Sequence, residues 1–313
     1  MLRSVTLHAI LWLSGVYAAA VTPGLVNISS ASLRSEPSHA AELETQAVYG
    51  TPVEILNEDE ISTGWLRVRL PDGYEAYIPE SSVWVMSEAE MDRWRDADRL
   101  IVSRPFPGPV IADTLLSDYT PYNRICDLTV GSILEGSMPG PGARFVEVTL
   151  PDGYRGYARV DDMADFRTWA SRPADIDEVL DVANLLLGIP YLWGGITEKG
   201  LDCSGFTRTC YLIGARTLLP RNASQQAMIG SPLDIDHPEL FEQGDLIFFG
   251  SDGRITHVAI YDHGSTYIHA SGKVFRSSFD PQSDKYLPRS VIDAVRPLDG
   301  SEPISLNPRY FNR

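Results

Sequence analysis

Residues 202–206 read Asp202-Cys203-Ser204-Gly205-Phe206, and they follow closely on the run Tyr191-Leu192-Trp193-Gly194-Gly195. Asp is a favoured N-cap residue, so Asp202 predicts a helix that begins at Cys203. The unpaired backbone N–H groups and the positive dipole at a helix start favour the thiolate form of a cysteine placed there. Because the thiolate is the nucleophilic form, Cys203 is a candidate for attack on a carbonyl carbon.

Two histidines, His257 and His269, follow on segments with a β-strand pattern. If Asp262-His263-Gly264 is a three-residue hairpin loop with its glycine in the left-handed conformation, Tyr261 pairs with Ser265 and the two histidines lie directly opposite each other. Both rings then share one face, where one can reach the thiol while the other fixes its tautomer. A loop one residue longer would separate them onto opposite faces. Together with the cysteine, this pair predicts a cysteine hydrolase.

The other two cysteines have a simpler interpretation. Cys210 lies seven positions after Cys203 on the apolar side of the same predicted helix, and we expect both Cys210 and Cys126 to be buried structural thiols. No C-x-x-C or H-E-x-x-H spacing supports a metal site built on Cys203 and the histidines. We therefore expect neither a metal nor another cofactor.

The chain has 313 residues, of which 43% are apolar, and this is enough for two or three domains. Residues 1–20 combine Arg3, an apolar stretch and the sequence Ala18-Ala19-Ala20, which predicts a signal peptide cleaved near Ala20. A retained anchor is the alternative, but the apolar stretch falls short of the roughly 20 residues of a membrane span. We expect an exported protein, periplasmic or extracellular, with no membrane span after cleavage.

The charge of the chain limits its partners. Loss of Arg3 with the signal would change the formal net charge from −16 to −17. Such a charge argues against nucleic acid or an anionic membrane surface as a partner, and it suits a substrate that carries a free amine.

An internal repeat organises the first half of the chain. Leu70-Pro71-Asp72-Gly73-Tyr74-Glu75-Ala76-Tyr77 recurs as Leu150-Pro151-Asp152-Gly153-Tyr154-Arg155-Gly156-Tyr157. Each copy follows an alternating apolar segment, so each predicts a strand, a Pro-Asp-Gly turn and a second strand. We predict two small β-barrels, in residues 21–86 and 101–170, that resemble bacterial SH3-like domains. A connecting helix in residues 87–100 is predicted by a capping box of Ser87 and Glu90.

Residues 171–300 are predicted to form a third domain, followed by a C-terminal tail in residues 301–313. A helix with Asp175 as N-cap and Gly188 as its stop precedes the helix that begins at Cys203. Strands are predicted afterwards, near residues 245–249, 255–261 and 267–270. Helices followed by a sheet indicate the α+β class.

The third domain resembles the NlpC-type papain-like cell-wall cysteine peptidases. The matching motifs are Tyr191 to Gly195, Asp202 to Phe206, Leu219 to Arg221, Gly244 to Phe249 and His257 to Tyr261. The resemblance implies a papain-like α+β catalytic domain after the two SH3-like β-barrels. It also implies that Cys203 is the nucleophile, His257 the general base and then acid, and His269 the orienting third member. The hydroxyl of Tyr191 would lie beside the thiol and assist the oxyanion.

Two SH3-like domains before such a peptidase are similar to the γ-D-glutamyl-L-diamino acid peptidases, also called dipeptidyl-peptidase VI. That group releases L-Ala-γ-D-Glu from murein peptides, and its first barrel closes the groove and binds the free amine of L-alanine. The resemblance implies substrate contacts from Glu42, or Glu44 in its place, and from Tyr74, Asp202 and Ser204. Members that bind the amine tend to have an acid and a serine after Leu-Pro-Arg, where this chain has Asn222 and Ala223. Asn222 can accept a hydrogen bond from an ammonium but lacks the charge.

Murein-derived peptides are thus the expected partners, and the protein is expected to be a monomer. The third residue of the murein peptide, diaminopimelate or lysine, stays open. Two alternatives also stay open: an endopeptidase acting on intact, glycan-attached stem peptides, and, from another class, a non-catalytic wall-binding protein.

Overall fold

The structure is a computed structural model that describes residues 21–56, 64–112, 123–298 and 303–312. The predicted signal peptide lies outside the described residues. No helix in these ranges is both long and apolar enough to cross a bilayer.

The two copies of the sequence repeat lie in two seven-stranded sheets of the same topology. The strand order is β3-β2-β6-β5-β4-β1-β7 in the first sheet and β10-β9-β13-β12-β11-β8-β14 in the second. The first sheet is built from β1 (Thr22–Val26), β2 (Ala31–Arg34), β3 (Leu43–Ala47), β4 (Pro52–Ile55), β5 (Trp65–Arg69), β6 (Glu75–Pro79) and β7 (Val83–Val85). The second is built from β8 (Arg99–Val102), β9 (Val110–Ile111), β10 (Arg124–Cys126), β11 (Ile133–Glu135), β12 (Phe145–Thr149), β13 (Arg155–Arg159) and β14 (Met163–Asp165). Each sheet encloses its own apolar core.

The repeated Pro-Asp-Gly turns have the same hydrogen bonds in both barrels. The backbone N–H of Leu70 donates to the carbonyl of Tyr74, and Leu150 donates to Tyr154 in the same way. The turn glycines have φ angles of +84° and +85°, a conformation that favours glycine. The predicted hairpins are therefore confirmed.

The predicted capping box is present at the helix between the barrels. Helix α1 (Glu88–Asp96) starts after Ser87, whose hydroxyl accepts from the N–H of Glu90 at 3.3 Å while the Glu90 carboxylate accepts from the N–H of Ser87 at 2.8 Å. The helix ends at Asp96, within the predicted connecting segment of residues 87–100. A short helix, α2 (Phe166–Ala170), follows the second barrel.

The last region combines helices with a six-stranded antiparallel sheet, as predicted. Its helices are α3 (Ile176–Leu185), α4 (Cys203–Ala215) and α5 (Ala223–Gln226). The small strands β15 (Ile196–Thr197) and β16 (Gly200–Leu201) form a hairpin before α4. The sheet has the order β17-β22-β18-β19-β20-β21, with β17 (Ser231–Pro232), β18 (Leu246–Ser251), β19 (Arg254–His263), β20 (Thr266–Ser271), β21 (Lys273–Ser278) and β22 (Val291–Arg296). Helix α4 packs on one face of this sheet, against Val258, Ile260 and Ile268.

Buried polar contacts attach the first barrel to the last region. Asp72, in the turn of the first barrel, pairs with Arg208 of α4 at 2.8 Å, and both side chains are almost fully buried. The β15–β16 hairpin reaches both barrels, because Lys199 pairs with Asp127 of the second barrel and donates to Ser29 of the first at 3.0 Å. The wall of the first barrel is thereby held close to the start of α4.

The C-terminal segment packs against both barrels instead of extending as a tail. Arg309 binds Glu54 of the first barrel at 3.0 Å. Phe311 stacks on Phe166 of α2 with ring centroids 5.1 Å apart, and the guanidinium of Arg99 lies over the Phe311 ring.

Candidate active site

Cys203 occupies the first position of α4, as the sequence predicts. The Asp202 carboxylate caps the helix by accepting from the N–H of Gly205 at 2.7 Å and from the N–H of Gly194 at 2.8 Å. A Cβ atom on Gly205 would lie 2.0 Å from the carbonyl oxygen of Gly195, so only glycine permits this close approach of helix and loop. The Trp-Gly-Gly and Asp-Cys-Ser-Gly motifs therefore pack together to fix the position of the thiol.

The strand that carries His257 contacts this thiol through its backbone. The backbone N–H of Val258, the residue after His257, hydrogen-bonds the Cys203 sulfur, as does the N–H of Ser204. Nε2 of His257 lies 2.7 Å from Nδ1 of His269. The His257 nitrogen that remains for the thiol is Nδ1.

The hairpin register differs from the predicted one. Tyr261 pairs with Tyr267 rather than Ser265, and Asp262 is an extra residue in a β-bulge whose carboxylate binds Arg276 of β21 at 2.9 Å. Ile260 pairs with Ile268, and in the same register His269 lies opposite residue 259. His257 is two residues further along its strand, so the two histidines are diagonal neighbours rather than directly opposed. The shift is by an even number of residues, and the rings remain on one face.

Ser277 completes the chain of polar groups, although nothing in the sequence singled it out. Its hydroxyl lies 2.9 Å from Nε2 of His269, and it is buried on β21. If the Ser277 hydroxyl accepts a hydrogen bond from Nε2–H of His269, then Nδ1 of His269 carries no proton and accepts a hydrogen bond from Nε2–H of His257. In the neutral His257 ring, Nδ1 then carries no proton. That tautomer is the one a general base requires.

Burial makes both partners of the reacting pair neutral. It raises the pKa of the Cys203 thiol to about 11; the negative Asp202 adds to this effect, and the backbone N–H groups of Val258 and Ser204 oppose it. Burial and the charges of nearby groups lower the pKa of His257 to about 2 and that of His269 to about 3. The backbone N–H donors at the thiol favour the thiolate, in the direction that the sequence suggests for a helix start, but burial outweighs them. The proton must pass from sulfur to His257 as attack proceeds.

A cavity of about 370 Å³ opens beside Cys203 and is shared between the first barrel and the last region. Strand β3 contributes Glu44, and the rest of the lining is Tyr191, Trp193, Asp202, Cys203, Ser204, Arg221, Asn222, Ala223, Ser224, Ile255 and Thr256. Burial raises the pKa of Tyr191 to about 12, so its hydroxyl keeps its proton and is a donor next to the thiol. Another cavity, of about 650 Å³, lies between the turn of the first barrel and the C-terminal segment and contains none of the candidate catalytic residues.

The barrel side of the cavity contains Glu44 rather than Glu42. Strand β3 pairs Thr45 with Leu33 but Leu43 with Arg34, so Glu44 is the extra residue of a β-bulge and does not share a face with Glu42. Glu44 accepts a hydrogen bond from the hydroxyl of Tyr74, whereas Glu42 is exposed and does not line the cavity. Asn222 also hydrogen-bonds the Tyr74 side chain.

Asp202 and Ser204 are bound by Arg221, a residue that the sequence marked only as part of Leu-Pro-Arg. The guanidinium pairs with both Asp202 oxygens, donates to Ser204 Oγ at 2.9 Å and donates to Thr45 Oγ1 of the first barrel at 2.8 Å. Arg221 and Asp202 are both buried. This ion pair holds the start of α4 against the first barrel.

The remaining cysteines do not belong to the cavity. Cys210 is fully buried on α4, whereas Cys126 is half-buried on β10 and hydrogen-bonds Tyr49. Within the described ranges, no group of three or more His, Cys, Asp or Glu side chains is arranged to hold a metal ion.

Comparison with known proteins assigns both kinds of domain. Residues 188–296 match the NlpC/P60 family, and residues 33–83 match the bacterial dipeptidyl-peptidase SH3 domain. The chain is 30% identical over 267 residues to dipeptidyl-peptidase 6 of Lysinibacillus sphaericus, and the alignment covers 82% of this chain and 91% of that protein. It is 29% identical over 245 residues to the gamma-D-glutamyl-L-lysine dipeptidyl-peptidase of Bacillus cereus, and this alignment covers 74% of this chain and 68% of that protein.

The fold is also that of a solved structure. The crystal structure of an NlpC/P60 family protein from Bacillus cereus superposes with a TM-score of 0.71 at 21% identity, covering 88% of this chain and 99% of the other. The predicted α+β class, with SH3-like barrels before a papain-like domain, is thereby confirmed. Sequence similarity extends over nearly the whole of the Lysinibacillus relative, and the chain therefore belongs to the NlpC/P60 family of peptidases.

Proposed function

We propose that the protein is an exported cysteine peptidase that hydrolyses the γ-D-glutamyl to diamino acid bond of murein peptides. It would prefer a free N-terminal L-alanine and release L-Ala-γ-D-Glu. The observation that carries this proposal is the cavity beside Cys203, because the first barrel contributes Glu44 to its wall. The name of the Bacillus cereus relative supports cleavage after γ-D-glutamate, and the names of both relatives support release of a dipeptide.

The wall of the cavity supports recognition of an amine. The Glu44 carboxylate, the Tyr74 hydroxyl and the Asn222 amide meet there, and each offers an oxygen acceptor to an ammonium group. A charge-assisted bond to Glu44 is the strongest of these contacts, so one acid compensates for the neutral Asn222. A wall at this position also limits how much of the peptide can precede the scissile bond.

The reaction uses groups that already surround the thiol. The Cys203 sulfur attacks the γ-carbonyl carbon while its proton passes to Nδ1 of His257. The N–H groups at the start of α4 and the Tyr191 hydroxyl donate to the oxyanion. His257 then gives the proton to the leaving α-amine of the diamino acid. Water, deprotonated by His257, hydrolyses the thioester and regenerates the thiol.

The test measures dipeptide release from L-Ala-γ-D-Glu-diaminopimelate and from its lysine counterpart, each with a free and an N-acetylated alanine. Wild type should release dipeptide from a free peptide, and Cys203→Ser should not. Failure on both free peptides would refute the proposed activity. Equal cleavage of acetylated peptides or of polymeric murein would favour the endopeptidase alternative.

Matched variants test the wall. Glu44→Gln should raise KM for the free-amine peptide by about 10- to 100-fold, as expected for loss of one charge-assisted contact. Glu42→Gln is the control two residues away and should leave KM unchanged. Tyr74→Phe and its repeat counterpart Tyr154→Phe form a second pair, since Tyr154 is 67% exposed on the other barrel.

A further inference from the structure

Arg289 lies next to the catalytic histidines. Its Nη2 donates to Ser271 Oγ at 2.9 Å. Ser271 comes two residues after His269 on β20, so both side chains leave the same face of the strand. The next carbonyl, that of Gly272, accepts the N–H of Tyr191 at 2.8 Å. The half-buried guanidinium is thus held at the end of β20 that follows His269, and its charge acts on both His257 and His269.

The charge of Arg289 is not balanced by the protein. Within the described part of the chain, no carboxylate lies at ion-pair distance from this guanidinium, whose side-chain contact is the Ser271 hydroxyl. Its positive charge lowers the pKa of both His257 and His269. The reaction nevertheless requires His257 to carry a proton for the leaving amine, and the positive charge of Arg289 opposes this protonation.

A substrate carboxylate would remove this mismatch. A guanidinium has five donors in a planar fork, and one bond to Ser271 leaves others for a carboxylate. Because His257 gives its proton to the leaving amine, the leaving residue must lie on the His257 side. In the proposed substrate, the α-carboxyl group is attached to the same carbon atom as that amine.

We propose that Arg289 binds the α-carboxylate of the leaving diamino acid, so that the protein prefers peptides that end at this residue. The proposal rests on the proposed function and specifies its leaving-group side. Binding of the carboxylate would place a negative charge next to the guanidinium and favour the protonated His257 that the leaving amine needs.

The experiment compares L-Ala-γ-D-Glu-L-Lys with its C-terminal carboxamide, using the full chain. Wild type should cleave the acid with a kcat/KM about 10- to 100-fold above that of the amide. Arg289→Gln should abolish this preference by slowing the acid alone, and Arg289→Lys should retain part of it. Lys273→Gln, which removes an exposed cation from the start of β21, should behave as wild type.

Three results would overturn the assignment. Wild type could cleave acid and amide equally, or Arg289→Gln could slow both equally, which is the behaviour of a residue needed only for structure. Alternatively, the effect of Arg289→Gln could disappear with a D-isoglutamine peptide, which would place the guanidinium on the D-glutamate carboxylate instead.

A binding measurement separates this proposal from the proposed activity. Calorimetry on Cys203→Ser should show tighter binding of the acid than of the amide, and Cys203→Ser/Arg289→Gln should show no difference. This readout does not require hydrolysis. Equal binding of acid and amide to Cys203→Ser would refute the role of Arg289 even if wild type cleaves both peptides.

Discussion

Replacing Arg221 by methionine should destabilise the protein strongly, because it leaves a buried carboxylate without its charge partner. The Arg221 and Asp202 side chains are 2% and 8% exposed. The change removes the contacts to both Asp202 oxygens and the bonds to Ser204 at 2.9 Å and Thr45 at 2.8 Å. The two backbone N–H groups that remain on Asp202 do not supply a positive charge. Removing one partner of a buried ion pair typically costs about 3–5 kcal/mol, and we expect a loss in this range.

The assay is equilibrium unfolding in urea, with the free energy of unfolding compared between variants. Arg155→Met is the matched control, because Arg155 pairs with Glu147 at 3.7 Å and is 75% exposed. Exposed pairs contribute about 0–1 kcal/mol, so the control should stay within that range of wild type. Adding Asp202→Asn to Arg221→Met should cost less than the sum of the single changes. A loss below about 1 kcal/mol for Arg221→Met would refute the role assigned to this pair.

Two further predictions concern the histidine chain. Ser277→Ala should lower kcat by roughly 10-fold with KM unchanged, because the tautomer of His269 is no longer fixed. Ser278→Ala is the control, since Ser278 contacts Ser265 instead, and it should leave kcat unchanged. Equal effects of the two changes would contradict the role of Ser277 in fixing the histidines. Burial lowers the pKa of His269 in the folded state, so the unfolded chain takes up the proton first as pH falls below about 6.5. Below this pH, wild type should therefore lose about 1.4 kcal/mol of unfolding free energy per pH unit more than His269→Gln. Parallel curves of unfolding free energy against pH for the two proteins would contradict this prediction.

Local patterns in the sequence predicted the elements well, and long-range contacts account for most of the differences. The N-caps at Asp175 and Asp202 and the capping box at Ser87 depend on neighbouring residues, and each is confirmed. The strands after α4 were also predicted close to their observed positions. Such features depend on side chains and backbone groups within one turn of each other.

Two β-bulges explain the corrections near the site. An extra residue at Asp262 shifts the histidine register, and an extra residue at Glu44 turns that side chain toward the cavity in place of Glu42. The first bulge is held by Arg276, which lies on another strand. Counting along an ideal strand does not reveal such an extra residue. The burial that raises the pKa of Cys203 likewise depends on long-range packing, because the N–H of Val258 on β19 reaches the thiol on α4.

The duplicated hairpin shows how one local structure can acquire two separate constraints. In the first barrel its aspartate pairs with Arg208 and its tyrosine donates a hydrogen bond to Glu44 of the cavity wall. In the second barrel Asp152 accepts a hydrogen bond from Asn27 at 3.1 Å, and Tyr154 faces solvent. A duplication of this kind supplies a spare copy, so substrate preference can diverge through one hairpin while the other preserves the assembly of the barrels. Exchanging residues between the copies should therefore not be neutral, even though their backbones are alike.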